Sequence, residues 1–336
     1  MKNECLVKGD SFAKLGEKQT KYKQGVIVLE ILLAQPRGFC AGVVRAVEIV
    51  GLALERYKPP VYVFHEIVHN PHVVNELREK GAVFVNDLDE VPDGAVTIFS
   101  SHGVATKVVD EANRKKLNVI DATCPLVTKV HAQAQRYHKE GCEIIIIGHV
   151  GHEEIEGTMG SVPGSVHVIV TPEDARSLQI KDPGKLAYVT QTTLSVDDTK
   201  DVIAVLRARF PNIKGPDTKD ICYASQNRQN AVRELSKQVD LLLVVGARNS
   251  SNSNRLREVS TQCGTTAYLI RDETEIQTDW LHNVRKIGIT AGTSAPEILI
   301  QRVITHLEGL GVETVRSMNG VEEKITFSLP EQLANE

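Results

Sequence analysis

The segment DATCPLVTKVH, residues 121–131, changes character halfway along. The apolar run LNVIDAT ends, a cysteine and a proline come next, and a helical pattern begins. Proline is pre-organised for the first helical turn, where its missing N–H would have had no partner. Cys124 therefore stands at a helix start, at the end of an extended segment. A helix N-terminus favours thiolate, the form wanted by a nucleophile, a redox pair or a metal. No C-x-x-C pattern is present here, so the segment alone leaves all three open.

Working outward, the same pattern recurs twice. VIVLEILLA leads to QPRGFCAGVVRAVEIVGLALERY, with Cys40 ahead of a helix, and NIKGPDTKDI leads to CYASQNRQNAVRELSKQ, with Cys222 ahead of another. The segments after these helices match as well. VYVFHEIVHN, EIIIIGHVGHEE and LLLVVGARNSSNSN are strands running into polar loops. His69 lies 29 residues after Cys40, His152 lies 28 after Cys124, and Ser250 lies 28 after Cys222. A second strand comes next (AVFV, VHVIV, TAYLI), then a third ending in a polar loop (TIFSSHGVAT, LAYVTQTTLSV, KIGITAGTSAP), then a closing helix. Identity between the units is low, so the repeat is one of architecture.

Strands alternating with helices imply parallel sheets with right-handed crossovers, and ligands of such sheets bind beyond the carboxyl ends of the strands. The expectation is an α/β protein of three similar domains with mainly parallel sheets, arranged pseudo-threefold around a central cavity. Residues 41–123 form the first, 124–221 the second, and 222–312 plus 26–40 the third. A mobile extension covers 1–25 and a C-terminal tail 313–336. The extension is polar and lysine-rich, with acids interspersed; a transit peptide would be richer in arginine and poorer in acids. Cys5 within it reads as a bystander.

Composition narrows the function. The 336 residues carry 39 basic and 43 acidic side chains, net −4, so no global charge draws nucleic acid or an anionic membrane. Aromatic residues are only 4%, too few for a platform that stacks single-stranded bases. No apolar run approaches the ~20 residues of a membrane span, and no secretory h-region opens the chain. Six cysteines without a signal peptide suggest a reducing, cytoplasmic setting with free thiols or metal ligands.

Convergence of Cys40, Cys124 and Cys222 would place them in a ring of His69, His102, His152, Glu154, Thr192, Ser250, Ser251, Asn252 and Ser294. A cysteine before a helix is, by itself, more often a small buried residue than a ligand; three at equivalent places reverse that balance. Zinc accepts three cysteines and a histidine. A cubane iron–sulfur cluster normally takes four cysteines; held by three, it keeps one iron open as a Lewis acid. Cys142 and Cys263 read as packing residues, and His131, His138 and His149 as surface or helix-face residues. The ring carries no lysine or arginine clamp. Its hydroxyls, amide and helix starts suit a phosphate, and its histidines can gain charge when an anion arrives. A small phosphorylated ligand fits. Ser195 and Asp198 fit a capping box within QTTLSVDD.

PRGFCAGVVRAV, HEIVHNPHVV, SSHGV, DATCPLVTKVH, GHVGHEEIEGTMG, TQTTLSVDD, DICYASQNRQ, SSNSNRL and AGTSAP closely resemble, in order and spacing, the motifs of the LytB/IspH family of 4-hydroxy-3-methylbut-2-enyl diphosphate reductases. The resemblance runs from about residue 29 to the C-terminus; at Glu153 family members often carry proline. It implies a [4Fe–4S] cluster on Cys40, Cys124 and Cys222, with the substrate hydroxyl at the fourth iron. It implies diphosphate binding by His69, His102, His152, Ser250, Asn252 and Ser294, with Ser251 beside them, and a proton path through Glu154 and Thr192. The implied reaction is a two-electron, two-proton reductive dehydroxylation giving isopentenyl and dimethylallyl diphosphates, the last step of the methylerythritol phosphate route to isoprenoids, with ferredoxin or flavodoxin as electron donor. Two other classes would use the same residues differently: an iron–sulfur sensor or carrier, and a structural zinc protein that binds a phosphorylated metabolite.

Overall fold

The computed structural model describes residues 30–216 and 220–334; the expected extension over 1–25, with Cys5, lies outside the described residues. The chain runs through β1 (Glu30–Leu33), α1 (Ala41–Tyr57), β2 (Val61–Phe64), α2 (Pro71–Glu79), β3 (Ala82–Val85), β4 (Val96–Phe99), α3 (Thr106–Arg114) and β5 (Asn118–Asp121). It continues with α4 (Pro125–Lys139), β6 (Glu143–Ile147), α5 (Glu153–Gly160), β7 (Val166–Ile169), α6 (Pro172–Ser177), β8 (Leu186–Thr190) and α7 (Val196–Arg209). The last third comprises α8 (Tyr223–Ser236), β9 (Leu241–Val245), α9 (Ser251–Gln262), β10 (Thr266–Ile270), β11 (Lys286–Ala291), α10 (Glu297–Gly309) and β12 (Thr314–Ser317).

Three sheets result, ordered β3-β2-β4-β5, β7-β6-β8 and β10-β9-β11-β1-β12. Every named strand pairing is parallel. Parallel sheets are covered on both faces, so their central strands read as unbroken apolar runs. The inner strands EIIII of β6 and LLLVV of β9 are of this kind. Alternate residues feed cores on opposite faces: Ile144 and Ile146 one, Ile145 and Ile147 the other. Leu241, Leu243 and Val245 divide from Leu242 and Val244 in the same way.

Each cysteine caps the helix after it, Cys40 for α1, Cys124 for α4 and Cys222 for α8. Each also donates its backbone N–H to a loop at the end of a strand in the preceding sheet. Cys124 bonds Ser101 O at 3.0 Å, Cys222 bonds Thr192 O at 2.9 Å, and Cys40 bonds Thr293 O at 3.3 Å. The third bond lies within the third unit, between the segment 26–40 and the loop after β11, and sets the point where the chain passes into α1 of the first unit.

In the extended segment ahead of Cys222, the described residues make one isolated bridge, Lys214 to Ala187. One local expectation fails. Ser195 does cap α7, accepting from the N–H groups of Asp197 and Asp198, but Asp198 does not complete a capping box. Its carboxylate pairs instead with Arg255 on α9.

Residues 313–336 do more than trail. β12 adds a strand beside β1, and Leu333 enters the core of the first sheet. Between them, Glu323 meets Arg228, whose side chain is only 1% exposed. Arg228 also donates to Gly38 O at 2.7 Å, Phe39 O at 3.1 Å and Ala224 O at 3.0 Å. One guanidinium thus ties the Cys40 loop, the Cys222 helix and the strap together. Removing one partner of a buried ionic network leaves the remaining polar groups unpaired, at about 3–5 kcal/mol. Arg228→Met is therefore expected to unfold at a clearly lower urea concentration; an unchanged midpoint would mean that the strap and loop hold without it.

Candidate active site

The twelve residues singled out from the sequence line one central cavity: Cys40, His69, His102, Cys124, His152, Glu154, Thr192, Cys222, Ser250, Ser251, Asn252 and Ser294. The cavity is narrow, about 90 Å³. Wider clefts of about 390 and 700 Å³ open beside it along the seams between units. Among the described residues, no lysine or arginine lines the central cavity.

The thiols sit at its floor. Gly42 has no side chain for a reason: a Cβ there would lie 2.8 Å from Cys124 Sγ and 3.9 Å from Cys40 Sγ. Among the described residues, the three sulfurs are not a set whose donor atoms all fall within 4.8 Å of one another, as a single ion requires. Three half-buried cysteines around one cavity, their sulfurs spaced more widely than one ion, match the donor set of a polynuclear iron–sulfur cluster better than that of mononuclear zinc. His69, His102 and Glu153 do bring donor atoms within 4.8 Å.

Without a metal, burial works against the thiolate character that the helix starts favour. Burial raises the thiol of Cys40, pushes Cys124 up to about 11 and pushes Cys222 up to about 12. Backbone N–H groups of the helix starts oppose the shift but lose to desolvation and to the neighbouring thiols.

Opposite the thiols, Glu154 is 3% exposed. Its Oε1 accepts from Thr192 N at 2.7 Å and its Oε2 from Thr192 Oγ1 at 2.9 Å. Burial raises the carboxyl to about 7 even against these bonds. His152 caps α5 and accepts from Glu154 N through Nδ1; burial and the neighbouring imidazoles push its pKa down to about 3. His69 and His102 stack with ring centroids 4.1 Å apart, and His152 meets both edge-on at 5.5 and 5.9 Å.

The hydroxyl side is equally bonded. Ser250 caps α9, accepting from Ser253 N. Asn252 Oδ1 accepts from Thr293 N at 3.0 Å, and its amide donates to Ser225 Oγ. Ser251 Oγ lies 2.9 Å from Thr193 Oγ1, and Ser294 Oγ donates to His69 O at 2.9 Å. Thr193, Ser225 and Gly42 have no distinguishing signal in the sequence beyond adjacency to residues already chosen.

One minor expectation is corrected. Cys263 is exposed, not packed, although Cys142 is buried. His131 is a helix-face residue of α4, half-buried; its ring lies against the backbones of Gly103 and Gly157, with Nε2 buried and without a hydrogen-bond partner. His149, by contrast, is exposed, as its place in the sequence implies.

The thiol shifts carry a test in the metal-free protein. Pulsed iodoacetamide labelling, resolved by peptide mass spectrometry, should give rates for Cys124 and Cys222 that still climb above about pH 10, beyond the free-thiol range of ~8.5. Rates that level off below about pH 9 would mean that the helix starts outweigh burial.

Comparison with known proteins agrees with this geometry. The family model described as LytB protein matches residues 31–308. A Bradyrhizobium diazoefficiens relative named 4-hydroxy-3-methylbut-2-enyl diphosphate reductase 2 is 57% identical over 91% of this chain and 99% of its own length. A Zymomonas mobilis relative named 4-hydroxy-3-methylbut-2-enyl diphosphate reductase is 58% identical over 91% of this chain and 90% of its own. The solved E-1-hydroxy-2-methyl-but-2-enyl-4-diphosphate reductase of Plasmodium falciparum superposes with a TM-score of 0.87 at 39% identity, covering 91% of this chain and 97% of that one. A solved (E)-4-hydroxy-3-methyl-but-2-enyl diphosphate reductase, described as the terminal enzyme of the non-mevalonate pathway, gives 0.59 at 32% identity over 84% and 99%. The motifs, the threefold of parallel sheets and these likenesses agree: the chain belongs to the LytB family.

Proposed function

We propose that this chain is an iron–sulfur oxidoreductase that removes the hydroxyl of (E)-4-hydroxy-3-methylbut-2-enyl diphosphate. Two electrons and two protons enter; the C–O bond breaks, a C–H bond forms, and water leaves with isopentenyl or dimethylallyl diphosphate. The observation that carries this reading is the sharing of one cavity by three half-buried thiols, a protonatable carboxyl–hydroxyl pair and a ring of imidazole, hydroxyl and amide groups suited to an anion. The names of the relatives support the same substrate. Cys40, Cys124 and Cys222 would hold a [4Fe–4S] cluster, which when bound supplies electrons one at a time and an iron without a protein ligand as Lewis acid.

The chain's own residues do the rest. His69, His102, His152, Ser250, Asn252 and Ser294, with Ser251 beside them, bind the diphosphate; hydroxyl, amide and helix-start N–H donors meet the anion without a fixed cation. Glu154 holds a proton near neutral pH because its burial disfavours the carboxylate. Thr192 Oγ1, 2.9 Å away, both accepts and donates, so it passes that proton towards the leaving oxygen. Hydroxide is a poor leaving group, and the narrow cavity limits supply from bulk water. An electron carrier of the ferredoxin or flavodoxin class would deliver electrons singly in the cytoplasm. No described helix is long and apolar enough to cross a membrane.

Anaerobic reconstitution with iron and sulfide, then assay with the diphosphate substrate and a chemical reductant, tests the reading. Both product diphosphates are expected, and a coloured, cluster-loaded protein that leaves the substrate intact would overturn it. Glu154→Gln keeps size but cannot deliver a proton. It should keep the cluster spectrum while kcat falls by roughly 10²-fold or more; near-normal turnover would remove Glu154 from the proton path. The pH profile has a defined sign. The acid must be protonated, so kcat should fall as pH rises through about 7, and this limb should disappear in Glu154→Gln.

A further inference from the structure

The stacked imidazoles of His69 and His102 each face a carboxylate that the proton path through Glu154 leaves unused. Glu66 Oε2 lies 3.2 Å from His69 Nδ1, and Glu153 Oε2 lies 2.8 Å from His102 Nδ1. The two pairs arise differently. Glu66 shares the loop after β2 with its histidine, whereas Glu153 reaches from α5 of the second unit to the loop after β4 of the first. Glu66 also accepts from the Asn249 amide at 3.0 Å, across the seam to the third unit.

We propose that Glu66 and Glu153 are positioning residues for the diphosphate, each occupying the Nδ1 side of one stacked imidazole so that both rings keep Nε2 for the anion. This inference rests on the proposed function, which supplies the anion.

A neutral imidazole has one N–H, and its position is set by what the other nitrogen faces. A carboxylate is acceptor-only, so beside Nδ1 it favours a proton there. Once an anion arrives at Nε2, both ring nitrogens need protons and both rings become cationic. Two cations with centroids 4.1 Å apart repel, unless each has its own counter-charge. Glu66 and Glu153 supply one each. The charged and titratable neighbours of the pair are His65, Glu66, His152, Glu153 and Glu154, the last of which His69 also feels across the cavity. His65 Nδ1 stands 4.0 Å from Glu153 Oε1, and His152 is held neutral by burial and by the other two rings. Both carboxyls are lowered. In Glu66 the His69 contact dominates; in Glu153 burial pushes upward, but the His102 contact and the nearby imidazoles together outweigh it. Glu153 Oε2 is buried and has no regular hydrogen-bond partner; its close contact is His102 Nδ1, and since burial and His69 lower that imidazole, the contact becomes an ion pair only when the ring gains a proton.

The opposing view is that two carboxylates beside an anion site repel the anion and hasten its exit. The two views differ in sign. Glu153→Gln and Glu66→Gln holoenzymes are compared with wild type for KM and kcat on (E)-4-hydroxy-3-methylbut-2-enyl diphosphate, and for calorimetric Kd on inorganic pyrophosphate. Positioning predicts that each variant raises KM and the pyrophosphate Kd by roughly tenfold, the scale of a hydrogen bond to a charged group, with kcat and the visible cluster spectrum little changed. A general loss of structure would lower kcat and bleach the spectrum together, and would overturn the assignment of a positioning role. Unchanged or tighter pyrophosphate binding in the variants, with wild type binding normally, overturns this inference alone. Wild type that neither binds pyrophosphate nor consumes the substrate overturns the proposed function and this inference with it.

Discussion

Three backbone hydrogen bonds hold this architecture in register: Cys124 N–H to Ser101 O, Cys222 N–H to Thr192 O, and Cys40 N–H to Thr293 O. The first two join the opening residue of one unit to a loop of the unit before, and the third holds Cys40, at the end of the third unit's segment 26–40, where the chain enters α1 of the first. The bonds do two things at once. They fix the start of each cysteine-capped helix, and they bring the neighbouring loop residues His102, Thr192 and Ser294 to the rim of the same cavity. Placing ligands at strand ends is a general property of parallel sheets. Here three sheets, each too small to enclose a site, share one.

Desolvation then sets the chemistry. The same burial raises three thiols and a carboxyl and suppresses the charge of His152. In the absence of ligands the thiols and His152 are neutral. Under the proposed function charge would be brought in: metal ions that draw the protons from the thiols, and an anion that calls protons onto the imidazoles. A lysine or arginine in their place would bind the anion more strongly, but it would also hold a permanent positive charge beside the proton donor. Histidines with their own carboxylates would, on the proposed reading, provide the charge only when the anion is present.

The fold was legible because its signal is repeated. A single apolar run before Cys124 is ambiguous between strand and buried helix; three such runs at matched spacing are not. The candidate ring was legible for the same reason, since His69, His152 and Ser250 occupy equivalent places in the three units. The parts that stayed hidden depend on contacts between units. Nothing near Arg228 in the sequence points to Gly38 or to Glu323, and only the folded strap brings them together. The opposing effect of burial on the thiols was not legible because the helix-start effect is local and readable, whereas burial is set by all three units. Asp198 looked like a capping partner for Ser195 until Arg255, more than fifty residues away, competed for it.

The central claim is that three thiols from three units hold one cluster with an iron left over for the substrate. Mössbauer spectroscopy of the ⁵⁷Fe-reconstituted chain, with and without the allylic diphosphate, addresses it most directly. Three iron sites of thiolate character are expected, with a fourth that is distinct and changes when the diphosphate is added. Four equivalent irons, or a spectrum indifferent to the diphosphate, would contradict it.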